Sequence, residues 1–428
     1  MPRALALSLV LAASAFACAP LRASKAWTVL LYMDATASDL VAPSARDLRS
    51  MEAPSAVPSW SAASTAEADV VVQLHRRAPP RVRRMRLIQV PSPLTDPDVQ
   101  SPVVEALDEE GVPLEESLRR FVTWGIDRYP SERYAVIVWG HGQGFGGIAV
   151  GEGPRAVLDV PGLGRALASV SRRRLGGRPF DLYASDACLM QSIEVAGELV
   201  SVARYVVGSE AIEEDYAGLP YRAWLPVLNG SAPAPREAAC PPADAACNAA
   251  AALVGRGVGV TLSALDEPAL ATVLLPSLGR LSAAIEGYLR EDDLRRIGLR
   301  VLLGPDLGAL GGTPDLGLGT RDLGLFLARL SAQVTREPGA GGTAGQSGVL
   351  RAVEEVRTAL GRSVVAAVFG GRHAASDHEG MAGVSLWLPH DGEEYRLHGA
   401  AFAAALYRGG EGGASFRGFL DRVFAPPD

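Results

Sequence analysis

Phe180-Asp-Leu-Tyr-Ala-Ser-Asp-Ala-Cys-Leu-Met190 is the stretch on which the fold reading turns. It begins as an apolar run of strand length, breaks at Asp186-Ala187-Cys188, and leads into a helix-like stretch from Leu189 to Val202. A second stretch, Tyr134-Ala-Val-Ile-Val-Trp-Gly-His-Gly-Gln-Gly-Phe-Gly-Gly147, has the same design. Here an apolar run ends in His141 set among glycines. Apolar runs of this length, bounded by turn residues, suit strands buried on both faces of a mostly parallel sheet. In such sheets ligands bind beyond the carboxyl ends of the strands. His141 and Cys188 both fall at such ends.

Working outward, further strand-like runs are Trp27 to Met33, Ala68 to Leu74, Met85 to Val90 and Tyr205 to Gly208. Helix-like periodicity marks Leu114 to Tyr129 and Val157 to Val170. Strands alternating with helices predict an α/β sandwich. After about residue 230 the texture changes. Ser231 to Asp244 is rich in Pro and Ala, Ala264 to Arg290 is helix-like, and 306–319 and 337–348 are Gly-rich. A strand-like Gly383 to Leu388 and a helical Phe416 to Val423 follow. The organisation expected is a signal segment at 1–18, a catalytic domain at 26–230 and an accessory C-terminal region at 231–428.

The chain has 428 residues, 48% apolar and 21% charged, with a net charge of -7. That is a globular composition, and its acidic balance gives no reason to expect nucleic-acid binding. Arg3 followed by the apolar run Ala4 to Ala17 has the pattern of an export signal, too short for a permanent membrane span. Cys18 after Ala15-Phe16-Ala17 is a candidate for lipidation, with simple cleavage near Ala17 as the alternative. The expected location is therefore outside the cytoplasm: secreted, periplasmic or lipid-anchored. Contact with a membrane is expected only through that anchor.

Four cysteines are present. Cys240 and Cys247, close in sequence, are candidates for a local disulfide. Cys188 is then unpaired, and an unpaired thiol in an exported chain calls for a chemical explanation. A thiol near a helix N-terminus gains thiolate stabilisation. A neighbouring imidazole can take its proton and later protonate a leaving amine. The amides of Gly142 and Cys188 are candidates for an oxyanion hole. Read from the residues alone, Asp186 is a candidate cap for the following helix. His373, His378, His390 and His398 show no ligand spacing.

These segments resemble the clostripain family of cysteine peptidases, relatives of caspases, gingipains and legumains. The resemblance rests on Asp186-Ala-Cys-Leu-Met190, on His141-Gly-Gln-Gly144 and on Trp27-Thr-Val-Leu-Leu-Tyr-Met-Asp34. Ser209-Glu210, Gly218-Leu-Pro-Tyr221 and Gly383-Val-Ser-Leu-Trp-Leu-Pro389 extend it over most of the mature chain. It implies a caspase-like α/β/α sandwich and a Cys188–His141 dyad with no organic cofactor. It further implies cleavage of peptides or proteins after Arg or Lys, with Asp186 lining the specificity pocket. Such peptidases often mature by cleavage between His and Cys. Arg155, after a Gly-rich stretch, is the favoured point, with Arg172-Arg-Arg174 as the rival. Some relatives need calcium, for which Glu210, Glu213, Glu214 and Asp215 are candidate ligands. Departures from the family pattern are His75 in place of an acid, Gly140 in place of a polar residue, and Phe145 in place of Trp. The alternative function is a catalytically silent, peptidase-like surface protein that binds partners. The sequence leaves the oligomeric state open.

Overall fold

The computed structural model describes residues 24–78, 81–91, 99–151, 157–213, 218–233, 240–257, 261–303, 319–336, 343–370, 380–406 and 411–424. Cys18 and the signal segment, Arg155, Glu214, Asp215, His373 and His378 lie outside them.

The chain opens with β1 (Lys25–Asp34), whose side chains divide with the two-residue period of a strand. Trp27, Val29, Leu31 and Met33 enter one core, and Leu30 and Tyr32 enter another on the opposite face. After helix α1 (Val41–Glu52) come β2 (Ala68–His75), β3 (Val82–Arg86) and β4 (Val103–Leu107). Helix α2 (Leu114–Arg128) leads to β5 (Ser131–Trp139), α3 (Val160–Arg174) to β6 (Phe180–Asp186), and α4 (Ile193–Leu199) to β7 (Ala203–Gly208). Then follow α5 (Tyr221–Leu228), α6 (Ala245–Gly255) and β8 (Leu262–Asp266). Last come β9 (Thr320–Asp322), β10 (Val364–Val368) and β11 (Ser385–Trp387), among further helices.

Nine strands form one sheet in the order β10-β8-β7-β6-β5-β1-β2-β3-β4. The central run from β7 to β2 is parallel, and the strands beyond each end of it are antiparallel. Helices α1, α5 and α6 cover one face and α2, α3 and α4 the other. This is the three-layer α/β arrangement that the sequence predicts. Because β1 pairs with both β2 and β5, the strand order reverses there, and the crevice at such a reversal is where open α/β sheets bind ligands.

The region after residue 230 is joined to this sheet, since it supplies β8 and β10. It also builds a third core, in which helix Glu267–Glu291 packs on helices 344–363 and 411–424. Helix Glu267–Glu291 is long and apolar enough to cross a membrane by length and composition, yet Leu270, Leu274, Leu278, Leu281 and Ile285 on it are buried in that core. Three local expectations are corrected. The start of the helix-like stretch Ala264 to Arg290 is strand β8, and Asp266 at its end caps the helix by accepting from Ala269 N. The strand expected at Met85 to Val90 runs over Val82–Arg86 instead. The third correction is that the helix after the Cys segment is only Ile193–Leu199.

Candidate active site

His141 lies two residues beyond β5, and Cys188 two residues beyond β6. Both line one cavity of about 430 Å³ with Leu40, Trp139, Asp186, Leu189, Glu213 and Gly218. Two local features hold the segments together. Gly142 packs so closely on the Cys segment that a Cβ there would stand 2.2 Å from Cys188 O. Leu189, next after Cys188, has φ 63°, a left-handed conformation that costs a non-glycine residue about 1–3 kcal/mol and persists only under external constraint. The constraint is visible: Leu189 N donates to Ala211 O at 3.1 Å and Gln191 N to Ser209 O at 2.9 Å.

Cys188 is the free cysteine of the described residues, while Cys240 and Cys247 form a disulfide. The expectation that a helix N-terminus lies at the thiol is overturned. The helix starts at Ile193, after the Leu189 turn and a bridge between Ser192 and Ser385, so its dipole is spent elsewhere. Burial pushes the Cys188 thiol up to about 11, and the charge of Glu213 pushes the same way. The Glu213 N–H, donating to Sγ at 3.3 Å, opposes them. Cys188 is thus held as a thiol at neutral pH, and any chemistry at Sγ would need a base to take its proton. His141 shares the cavity; its Nε2 lies 2.9 Å from Asp39 Oδ2.

Asp186 does not cap the following helix. Its Oδ1 accepts from Leu219 N at 2.9 Å and its Oδ2 from the Tyr221 hydroxyl at 2.5 Å. Gly218 passes so close that a Cβ would meet Asp186 Oδ1 at 2.2 Å. Burial, with the charge of Asp47 added, raises Asp186 to about 7 against the pull of those two bonds. Asp47 is itself raised by burial while accepting from Trp139 Nε1 at 3.1 Å. Glu213 is fully buried and pushed well up by burial, then by Asp186 and Asp47. Its Oε1 has no hydrogen-bond partner among the described residues. Two buried carboxyl groups, Asp186 and Glu213, therefore line the cavity, and Asp47 lies close enough to both to raise their proton affinity.

Sequence reasoning missed Asp39 and Asp47, which belong to no motif, and placed Glu213 in an acidic loop cluster. A search for acids in the segments after each parallel strand would have found Asp39. The acidic set does not act as one: Glu213 faces Cys188 and Asp186, whereas Glu210 is buried against Asp322. Among the described residues no group of three or more His, Cys, Asp or Glu is placed to hold a metal ion.

The C-terminal region touches both reacting segments. Phe145, four residues after His141, packs edge-on against Trp387 with ring centroids 5.3 Å apart. Ser385 N donates to Gln191 O at 3.0 Å, and Trp387 N to Glu194 Oε1 at 2.8 Å. His390 is taken up by the buried Arg321.

Residues 98–273, which contain His141 and Cys188, match the sequence model of the Clostripain family. An inactive zymogen C11 protease from Parabacteroides distasonis is 15% identical, with 88% of this chain and 96% of that one covered and a TM-score of 0.57. A secreted C11 cysteine protease from Bacteroides thetaiotaomicron, "iotapain", is 14% identical, with 89% and 99% covered and a TM-score of 0.58. A secreted C11 cysteine protease from the same species, in complex with an irreversible peptide inhibitor, is 18% identical, with 90% and 99% covered and a TM-score of 0.56. These likenesses show a shared fold. No curated protein matches the chain.

Proposed function

We infer that this chain, a cysteine peptidase by its clostripain-family segment at 98–273, is an exported endopeptidase that cleaves after Arg or Lys. The observation that carries the specificity is the pair Asp186 and Glu213, which line the cavity together with the thiol, with Asp47 next to them on Trp139. Asp47 has Arg46 at 3.5 Å, whereas Asp186 and Glu213 make no salt bridge among the described residues and are buried with raised proton affinity. A guanidinium or ammonium at P1 would supply them a cation, while a neutral side chain would leave the desolvated acids uncompensated. Trp139, lining the same cavity, suits the aliphatic stem of such a side chain.

In the reaction, His141 takes the Cys188 proton as Sγ attacks the scissile carbonyl carbon. The amides of Gly142 and Cys188 receive the oxyanion. The protonated imidazole then gives its proton to the leaving amine, and water hydrolyses the thioester. No step is assigned to calcium, because Glu210 and Glu213 face different partners.

Self-processing belongs to the same proposal. Ile148 and Leu158, which flank the stretch holding Arg155 in the sequence, exchange two backbone hydrogen bonds of 2.9 Å, and Val150 lines the cavity. The rival run Arg172-Arg-Arg174 ends helix α3, and a helical bond must unwind to enter an active site. Arg165 lies in that helix, paired with Glu115, and Arg178 pairs with Asp181. Arg155 is therefore the favoured point.

The test is hydrolysis of fluorogenic peptides with Arg, Lys, Asp or Leu at P1 by the wild type and Cys188→Ala. Cleavage after Arg or Lys, absent in the variant, supports the reading. Cleavage confined to Asp or Leu would remove the role given to the acidic cluster.

A further inference from the structure

We propose that Asp39 is a positioning residue for the base: it holds the His141 ring by Nε2 and so commits Nδ1 to receive the Cys188 proton. This rests on the cysteine-peptidase reading above. Asp39 Oδ2 lies 2.9 Å from His141 Nε2. A carboxylate can only accept, so Nε2 must carry the hydrogen of that bond, and a neutral imidazole is then basic at Nδ1 alone. The bond also fixes the orientation of the ring, the positioning role that the acid has in the Ser-His-Asp arrangement.

An exposed ion pair by itself means little, and this one is 38% and 47% exposed on its two side chains. What distinguishes it is that both partners stand on fixed backbone at the rim of the cavity. Asp34, the last residue of β1, accepts from Thr36 N at 3.0 Å and from Thr36 Oγ1 at 2.6 Å, which sets the turn leading to Ser38–Leu40. Leu40, immediately after Asp39, is buried and lines the cavity with His141 and Cys188. On the other side, Gly140 N donates to Asp186 O at 3.1 Å and Val150 N to His141 O at 3.2 Å. A Cβ on Gly140 would lie 3.3 Å from Asp34 O, so the two segments are in contact at their roots. The pair thus joins the segment after β1 to the segment after β5 across the reversal in strand order.

The experiment compares the wild type, Asp39→Ala, Asp39→Asn, His141→Ala and the Asp39→Ala/His141→Ala double variant as full chains. Two readouts are taken: turnover of an Arg-P1 peptide, and the rate at which iodoacetamide modifies Cys188 at neutral pH, followed by peptide mass spectrometry. Asp39→Ala is expected to lower kcat about ten- to a hundredfold with KM nearly unchanged, part of the roughly 10²–10⁴-fold that a positioned base supplies. Asp39→Asn, which keeps an acceptor but no charge, should recover part of the loss. In the His141→Ala background the Asp39 change should add nothing, because the two act as one unit. A purely structural role would instead lower the melting temperature and would persist without His141. Unchanged or faster turnover in Asp39→Ala overturns the proposal, the latter marking the pair as a latch on an inactive state. Alkylation decides the matter even if the wild type cleaves no peptide. About tenfold slower modification in Asp39→Ala sustains the role of Asp39 while the peptidase reading fails, and equal rates overturn it.

Discussion

The backbone N–H of Glu213 donates to the sulfur of Cys188 over 3.3 Å, fastening one wall of the cavity to the thiol. The two further rungs, Leu189 to Ala211 and Gln191 to Ser209, continue the attachment along the chain. The Cys188 segment and the segment carrying Glu213 are thus joined by three hydrogen bonds from backbone N–H groups. The same attachment brings a buried acid next to a thiol that must lose a proton, and this sets the resting state of the site.

Alkylation of the substrate-free chain reports that resting state. Burial first, and Glu213 second, raise Cys188 to about 11. The rate of modification by iodoacetamide should therefore still be climbing at about pH 9, with its midpoint near pH 11, above the value of about 8.5 for an ordinary cysteine. A midpoint near that ordinary value would show that the thiol is neither as desolvated nor as close to Glu213 as described.

Asp186→Asn separates specificity from stability. Without the carboxylate, kcat/KM for Arg and Lys peptides should fall by about a hundredfold or more relative to Leu peptides. The stability effect has a defined sign. Asp186 binds its proton more tightly when folded, at about 7 against 3.8 for an ordinary Asp, so the folded state holds more protons across that interval. Its contribution to stability is full below about pH 4 and is lost as pH rises through about 7. The Asn variant should show a flatter dependence of melting temperature on pH between 4 and 7. An unchanged slope would mean that Asp186 is solvated in the folded chain.

Gly142→Ala tests the close approach of the two reacting segments. The new methyl would meet Cys188 O at 2.2 Å, Met190 Cγ at 2.9 Å and Ala187 Cβ at 3.0 Å. The first of these is backbone and cannot swing aside. We expect loss of about 1–3 kcal/mol in chemical denaturation and near-complete loss of turnover. Wild-type stability in this variant would show that the segments stand further apart.

Arg155→Ala should leave the purified chain intact under conditions in which the wild type divides between His141 and Cys188, as read by intact-mass measurement. Replacing Arg172 and Arg173 on helix α3 should not prevent division, since both lie in the helix. Division of Arg155→Ala at the wild-type mass would move the site elsewhere.

Much of the catalytic half was legible because its strands bury both faces. Runs such as Trp27 to Met33 and Tyr134 to Trp139 are therefore continuous in apolar character, and β1 and β5 extend only a few residues beyond them. The edge strands were harder to see. β8 runs without a break into a helix begun by Asp266, and β10 follows helix Ala344–Ser363 with no turn residue between, so neither strand has punctuation of its own. The helix at the Cys segment was placed too early, because Leu189 and Met190 are apolar for a different reason: both are buried in the turn that presents the thiol.

By itself the sequence determined the chemistry-bearing residue types, their order and their positions at the ends of two strands. These are local matters of spacing and turn composition, and Asp186 to Met190 and His141 to Gly144 carry them whatever surrounds them. Only the tertiary structure decided the state of those groups. The proton affinity of Cys188 and Asp186, the crowding of Asp47 and Glu213 beside them, and the contact of His141 with Asp39 depend on burial and on segments distant in the chain. Electrostatic energies follow distance and desolvation in space, and a one-dimensional order of residues contains neither.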